Sequence, residues 1–426
     1  MSIEGPWGAL VTDPWFVGKA FANGWSMRYA PCSFAMETLQ NARFVWISHG
    51  HPDHFSPQTL LKIPKSRRSQ IQVLLTSSPT ALRLSKWCSE NDFAVWILED
   101  RKMYELPGGL EIQSGAIPFG DSWLGVRSGE ASVLNLNDCH LSQSQLRYVS
   151  RSWANVNLLL MQYGVANWTG NAGDQLQMIR ASKKALDRLE ETVGSILPKM
   201  VLPFASEIRF CHSENEHLNE YQNSPKDVLS RMAARDQPSV FMQNGDSILV
   251  DGSNLISHSE TQIDEPTEIV RSEFHEDLDL ESLSLARLTK NVAFHGNLTV
   301  RLYVAALKLS RLAKVRILIS EIQQVMLVSV DSIVADISSS KADLEMSCEM
   351  FAGLFTNEFG LDNLYISGRF KRITEDAIFR LYVTMSLDWM RANGLRPGLG
   401  LLFERGLLKS VFDRAFRNII VRGSVF

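Results

Sequence analysis

No stretch of about 18 consecutive apolar residues occurs in this chain of 426 residues, so nothing in it reads as a membrane-spanning helix. The opening Met1-Ser2-Ile3-Glu4-Gly5-Pro6 lacks a basic segment leading into an apolar one, and no secretory signal is expected. Cysteine is scarce: Cys32, Cys88, Cys139, Cys211 and Cys348 are scattered and odd in number. That excludes a disulfide framework and suits reduced thiols in a cytoplasm. Charge of one sign is not in excess, and a net charge of -4 gives no general reason to expect nucleic-acid binding. Internal repeats and low-complexity tracts are absent. So is histidine across one long interval: none of the nine histidines lies from Phe55 through Cys139.

Histidine is concentrated instead just before that interval. The run Ser48-His49-Gly50-His51-Pro52-Asp53-His54 follows the apolar Phe44-Val45-Trp46-Ile47, which reads as a buried strand. Alternate residues of a strand share a face, so His49 and His51 can point the same way. A turn at Pro52 can then bring Asp53 and His54 round to a second position. Neutral imidazole and carboxylate are the ligands of choice for zinc, iron or manganese, and packing alone needs no such density of them.

The length suggests two domains. Over the first 250 or so residues, short apolar runs alternate with helical patterns. Strands are expected at Gly8–Thr12, Phe44–Ser48, Gln72–Thr76, Ala94–Leu98, Leu110–Gln113, Trp123–Val126, Ser132–Asn135, Leu158–Gln162, Met200–Phe204 and Ser247–Val250. Helices are expected at Ser56–Lys62, Thr80–Glu90, Ser142–Ser150 and Asp174–Val193. This is the rhythm of a layered α/β domain, taken here as 1–252. An acidic, Ser-containing stretch, 253–282, reads as a solvated linker. Beyond it, 283–426 reads as an α+β unit, with strands at Val315–Ile319, Val325–Val330 and Ile333–Ile337 and helices at Leu344–Thr356 and Asp376–Asn393. Leu361–Arg369 reads as a turn into a strand, with a bulge at Gly368.

The H-x-H-x-D-H pattern resembles the signature of the metallo-β-lactamase superfamily. The resemblance implies an αββα sandwich with one or two metals at one sheet edge. Further passages resemble the metal domain of the CMP-N-acetylneuraminate hydroxylases: Thr12-Asp13-Pro14-Trp15-Phe16 with Gly24-Trp25, Leu134-Asn135-Leu136-Asn137-Asp138-Cys139, Met161 to Trp168, and Leu202-Pro203-Phe204-Ala205. The same passages are similar to phosphodiesterases that cleave N-acyl phosphatidylethanolamine. A paired site needs about seven or eight protein ligands, of which His49, His51, Asp53 and His54 are four. Asp138, at the end of an apolar strand, is the candidate bridging carboxylate. His212 follows a strand as the superfamily's final histidine does. Asp53 and Asp138 are also the candidate catalytic carboxylates.

Superfamily hydrolases place a further histidine between the opening motif and the bridging aspartate. The histidine-free interval forbids one here, and Asp121 stands near the expected place, with Glu111 as the alternative. A carboxylate moves the preference from zinc towards iron or manganese. This departure resembles the diiron hydroxylases of the same fold found in antibiotic pathways. The expectation is a cytoplasmic non-heme diiron monooxygenase with two iron ions (zinc or manganese as the alternatives) and dioxygen as cosubstrate. It would hydroxylate a small or carrier-bound metabolite. Cys139-His140 and Cys211-His212 do not make the spacing of a Rieske cluster, so an external electron donor is expected. The competing expectation is a binuclear hydrolase of an ester or phosphodiester. Trp15, Trp25, Trp123 and Trp168 are candidate walls of the site, and the C-terminal unit is expected to cover the substrate or form a homodimer interface.

Overall fold

The structure, a computed structural model, describes residues 1–117, 120–250, 269–271, 279–284, 304–305, 307, 311–336 and 341–393. Its first strands are β1 (Ser2–Gly5), β2 (Gly8–Thr12), β3 (Trp25–Met27), β4 (Phe44–Ile47), β5 (Gln72–Thr76) and β6 (Ala94–Leu98). Next come β7 (Met103–Leu106), β8 (Leu110–Ala116), β9 (Ser122–Ser128), β10 (Ala131–Asn135), β11 (Leu158–Gln162), β12 (Met200–Phe204) and β13 (Ile208–Phe210). One sheet has the order β1-β2-β4-β5-β6 and the other β12-β11-β10-β9-β8-β7, while β3 pairs with β13.

The two sheets pack face to face. Phe44, Trp46 and Leu74 of the first sheet share a core with Ile112, Leu124, Val133 and Leu160 of the second. The alternate residues Val45, Ile47, Val73 and Leu75 turn outward against Leu39, Leu60, Leu84 and Cys88. On the far side, Leu134, Leu159 and Val201 pack against Leu146, Leu186, Leu189 and Val193, which lie on the helices Gln143–Ser152 and Gln175–Ile196. The result is the four-layer helix–sheet–sheet–helix sandwich. All four side chains of β4 are buried. Burial of each contributes roughly 1.5–3 kcal/mol, so the strand that carries the histidine loop is anchored on both faces.

A third sheet is built from β14 (Lys314–Ile319), β15 (Gln324–Ser329), β16 (Ile333–Ala335), β17 (Leu344–Met346) and β18 (Lys371–Arg372), in the order β16-β15-β14-β17-β18. Its core takes in Trp168 of the sandwich beside Phe351, Leu364 and Phe370. Most of the acidic stretch lies outside the described residues. Val270, within it, bridges to His212, and Leu283, just beyond it, enters the third sheet's core.

Most expected elements occur within a few residues of their expected bounds. Three differ. Ser247–Val250 is not a strand. Leu344–Met346 is a strand that precedes a shorter helix, Cys348–Thr356. The passage read as a turn into a strand is instead the helix Gly360–Ser367, and Gly368 is its left-handed cap at φ 70°. Glycine is the residue that reaches this conformation without penalty. The local sequence misled because Leu361, Leu364 and Phe370 are buried by the third sheet's core and not by one helical stripe. No helix among the described residues is long and apolar enough to cross a membrane.

Candidate metal centre

Four loops meet at one edge of the sandwich. Parallel β2 and β4 lead into Asp13 and the histidine loop, β10 leads into Asn137 and Asp138, and the β8–β9 connection carries Asp121. The histidine loop is a tight turn in which the amides of His54 and Phe55 both donate to the His51 carbonyl. His49, His51 and Asp121 each present a ligand atom, all within 4.8 Å of one another, and so do His49, His54 and Asp138. Asp53 joins the second group through its Oδ2, 3.2 Å from His54 Nε2, which is itself 3.4 Å from Asp138 Oδ2. Six of the expected residues are thus brought together.

Asp13 organises the second group. It accepts from the Ser48 amide at 2.7 Å, the Ser48 hydroxyl at 2.8 Å and Asn137 Nδ2 at 2.7 Å. Its Oδ2 also lies 3.0 Å from His54 Nδ1. A carboxylate there accepts, so Nδ1 carries the hydrogen and Nε2 is left to bind a cation. Ser48 Oγ, whose hydrogen is donated in the bond to Asp13, accepts from His49 Nδ1 at 3.0 Å, and His49 Nε2 is freed in the same way. Asp13 was not singled out as a site residue in the sequence. It ends an apolar strand as Asp138 does, and that signal would have found it.

The donor set fits a metal pair. Asp53 Oδ1 and Asp138 Oδ1 are buried oxygens with no hydrogen-bond partner, a costly state that a cation relieves. His49 Nε2 and His51 Nδ1 face each other at 2.8 Å. Burial first, and then the charge on His54, lower the proton affinity of His49; burial and then His49 do the same to His51. Both rings are held neutral, as ligands must be. Burial also opposes a charge on His54, but Asp53, Asp138 and Asp13 outweigh it and raise its pKa well above the ordinary value. Asp138, despite burial, is held far below the carboxylate range by His54 and His49. The pocket therefore attracts positive charge strongly.

The alternative third ligand, Glu111, stands opposite Arg127 across two strands, with Arg127 Nη1 3.8 Å away, and neither group includes it. His212 is placed elsewhere as well. Pairing of β13 with β3 and the bridge to Val270 draw it into a seam with the third sheet's unit. There its Nδ1 lies 3.3 Å from Glu214, and burial, then Arg369, lower its pKa to about 4. Trp15, Trp25 and Trp168 line the cavity that opens onto Asp53, His54, Asp121 and Asp138. Trp123 does not, because it packs in the core outside the second sheet.

No protein-family model matches the chain. Among curated proteins, it is 28% identical to the cytidine monophosphate-N-acetylneuraminic acid hydroxylase of Danio rerio over 239 residues, 51% of this chain and 39% of the relative. The Macaca mulatta enzyme is 26% identical over the same shares. A human relative described as inactive is 25% identical over 236 residues, 51% of this chain and 46% of its own. The chain thus spans less than half the length of these relatives. Among solved structures, a variant of the CmlA beta-hydroxylase has a TM-score of 0.38 at 18% identity, covering 55% of this chain and 48% of that one. An isothiocyanate hydrolase from Delia radicum gut bacteria has a TM-score of 0.39 at 12% identity, covering 57% and 93%. The fold is metallo-β-lactamase-like, the αββα sandwich that the sequence resemblance implied.

Proposed function

We propose that this chain is a non-heme diiron oxygenase that hydroxylates a small or carrier-bound metabolite, using dioxygen and an external reductant. The observation that carries the reading is Asp121, a carboxylate grouped with His49 and His51 where superfamily hydrolases have a histidine. Hard anionic ligands favour iron over zinc. His49, His51 and Asp121 would hold one metal, and Asp53 and His54 the other, with Asp138 between them. When bound, such a pair supplies Lewis acidity and the redox chemistry that dioxygen requires.

The remaining work falls to the chain's own residues. Asp13 fixes the His54 ring, and Ser48 fixes His49, so the ligands are set before metal arrives. Phe21, Trp25 and Trp15, on the cavity wall, offer an apolar surface that excludes water from the reacting bond. The supply of electrons is assigned to a separate protein or small molecule, as no Rieske spacing occurs within these 426 residues.

Aerobic purification with elemental analysis and a visible spectrum tests the reading. About two equivalents of iron per chain are expected, and ¹⁸O₂ should label the product only when a reductant is supplied. Anaerobic turnover of an ester or phosphodiester by the zinc-loaded protein would replace this reading with the binuclear hydrolase.

A further inference from the structure

Three hydroxyls from the two sheets meet at the edge of the sandwich beside the histidine loop. They belong to Thr76, the last residue of β5, to Ser114 of β8 and to Ser122, the first residue of β9. All three residues are buried. Ser122 Oγ donates to the Ser48 carbonyl at 2.6 Å, joining positions 74 apart. A carbonyl only accepts, so the one hydrogen of Ser122 is committed to this bond. Thr76 Oγ1, 3.0 Å away, is then the donor to Ser122 and fixes the rotation of its hydroxyl. Ser114 touches Thr76 and lies 2.9 Å from the Trp123 carbonyl, one step further from Ser48 along the same chain.

The two residues joined are the immediate neighbours of two ligands. Ser48 precedes His49, carried by the first sheet, and Ser122 follows Asp121, carried by the second. His49 Nε2 stands 3.8 Å from Asp121 Oδ1. Within its own sheet each loop is held separately: Asp13 grips the Ser48 amide and hydroxyl, and the Ile117 amide donates to the Asp121 carbonyl at 2.8 Å. Neither contact sets one ligand against the other. On the Asp138 side, Asp13 reaches across to Asn137. On the Asp121 side, the Ser122–Ser48 bond makes the crossing, one peptide away from each ligand. Metal–ligand lengths are held to about 0.2 Å, so a bond that fixes one loop against the other bears directly on the site.

We propose that Ser122, oriented by Thr76, is a positioning residue of the metal centre: its bond to the Ser48 carbonyl sets the separation of Asp121 from His49. It touches no metal and acts through Asp121. This rests on the reading of the site as a metal pair.

The full-length protein, stripped of metal and reloaded with cobalt(II) alone, tests the proposal in wild type, Ser122→Ala, Ser122→Cys and Ser114→Ala. Wild type should bind two equivalents. Ser122→Ala should hold one of them about 10–100-fold more weakly in chelator competition, with a changed cobalt absorption spectrum. Ser122→Cys, a weaker donor in the same place, should move both readouts the same way. Ser114→Ala removes a buried hydroxyl of the same chain; its metal-free melting temperature should fall as that of Ser122→Ala does, with cobalt affinity and spectrum unchanged. In an Asp121→Ala background, Ser122→Ala should weaken cobalt little further, because the ligand it positions is gone. Wild-type affinity and spectrum in both Ser122 variants would overturn the proposal. So would an equal loss of affinity in Ser114→Ala, or a full second loss in the double variant, with the metal pair itself left standing. A wild-type protein that takes up no metal would overturn the reading of the site as well.

Discussion

Asp13 Oδ2 stands 3.0 Å from His54 Nδ1, although 41 positions separate the two residues. The same carboxylate holds Ser48 and Asn137, so one side chain braces loops from both sheets. Asp13→Ala should therefore leave the fold intact but weaken the metal on the His54 side. A loss of about 10–100-fold in affinity is expected, read by chelator competition. Binding as tight as wild type would show that His54 needs no such brace.

His51→Ala and Asp138→Ala should each empty at least one metal position. His51 and Asp121 have few alternatives for completing their group, and Asp138 reaches both His54 Nε2 and His49 Nε2, at 3.4 and 3.9 Å. Elemental analysis after desalting measures the loss. Two retained metals in both variants would refute the ligand assignment.

Asp121→His restores the ligand type of the hydrolases. The expected outcome is a protein that still binds two metals but favours zinc over iron more than wild type does, with oxidation reduced more than binding. Parallel iron and zinc titrations, set beside oxygen consumption, separate the two effects.

Arg369 is wholly buried and pairs with Glu214 and Glu349 at 2.7 Å each, while also donating to the Ala22 carbonyl. It ties the third sheet's unit to the sandwich. Arg369→Ala strands two carboxylates, and unfolding in urea should show a loss of about 2–3 kcal/mol. That is below the usual cost of breaking a buried pair, because both glutamates keep some solvent contact. A change under about 0.5 kcal/mol, the scale of an ordinary surface substitution, would show that the network contributes little.

Burial raises the Cys88 thiol from 9.0 to about 12, and burial with Glu321 nearby raises Cys348 to about 11. At pH 8 both are neutral and inaccessible, so a thiol reagent should label the half-buried Cys32 first and the other four only on denaturation. These thiols bind protons more tightly folded than unfolded, so their contribution is complete below pH 9 and declines as pH rises towards 11–12. Rapid labelling of Cys88 at pH 8 in the native protein would contradict this.

The core of the site is a local pattern, and local patterns are legible. The strand Phe44–Ile47 alternates its side chains between two cores, and the loop after it carries three imidazoles and a carboxylate within six residues. No tertiary knowledge is needed to see metal ligands there. The layered fold was legible for a similar reason, since the inner sheet strands are short apolar runs bounded by turns, whereas the edge strands β1 and β7 are largely exposed and carry no such run. What the sequence could not decide was which distant residues meet that loop. Asp121 and Glu111 were both admissible until strand register set Glu111 against Arg127. His212 has the right residue type after a strand, but pairing with β3 and the Val270 bridge carried it into a different seam. The passage Leu361–Arg369 takes its burial from the third sheet's core and follows no single period. Only the fold sets Phe359 against the His51 ring and Glu358 against Arg83, because those contacts join segments some 300 positions apart and no local spacing encodes them.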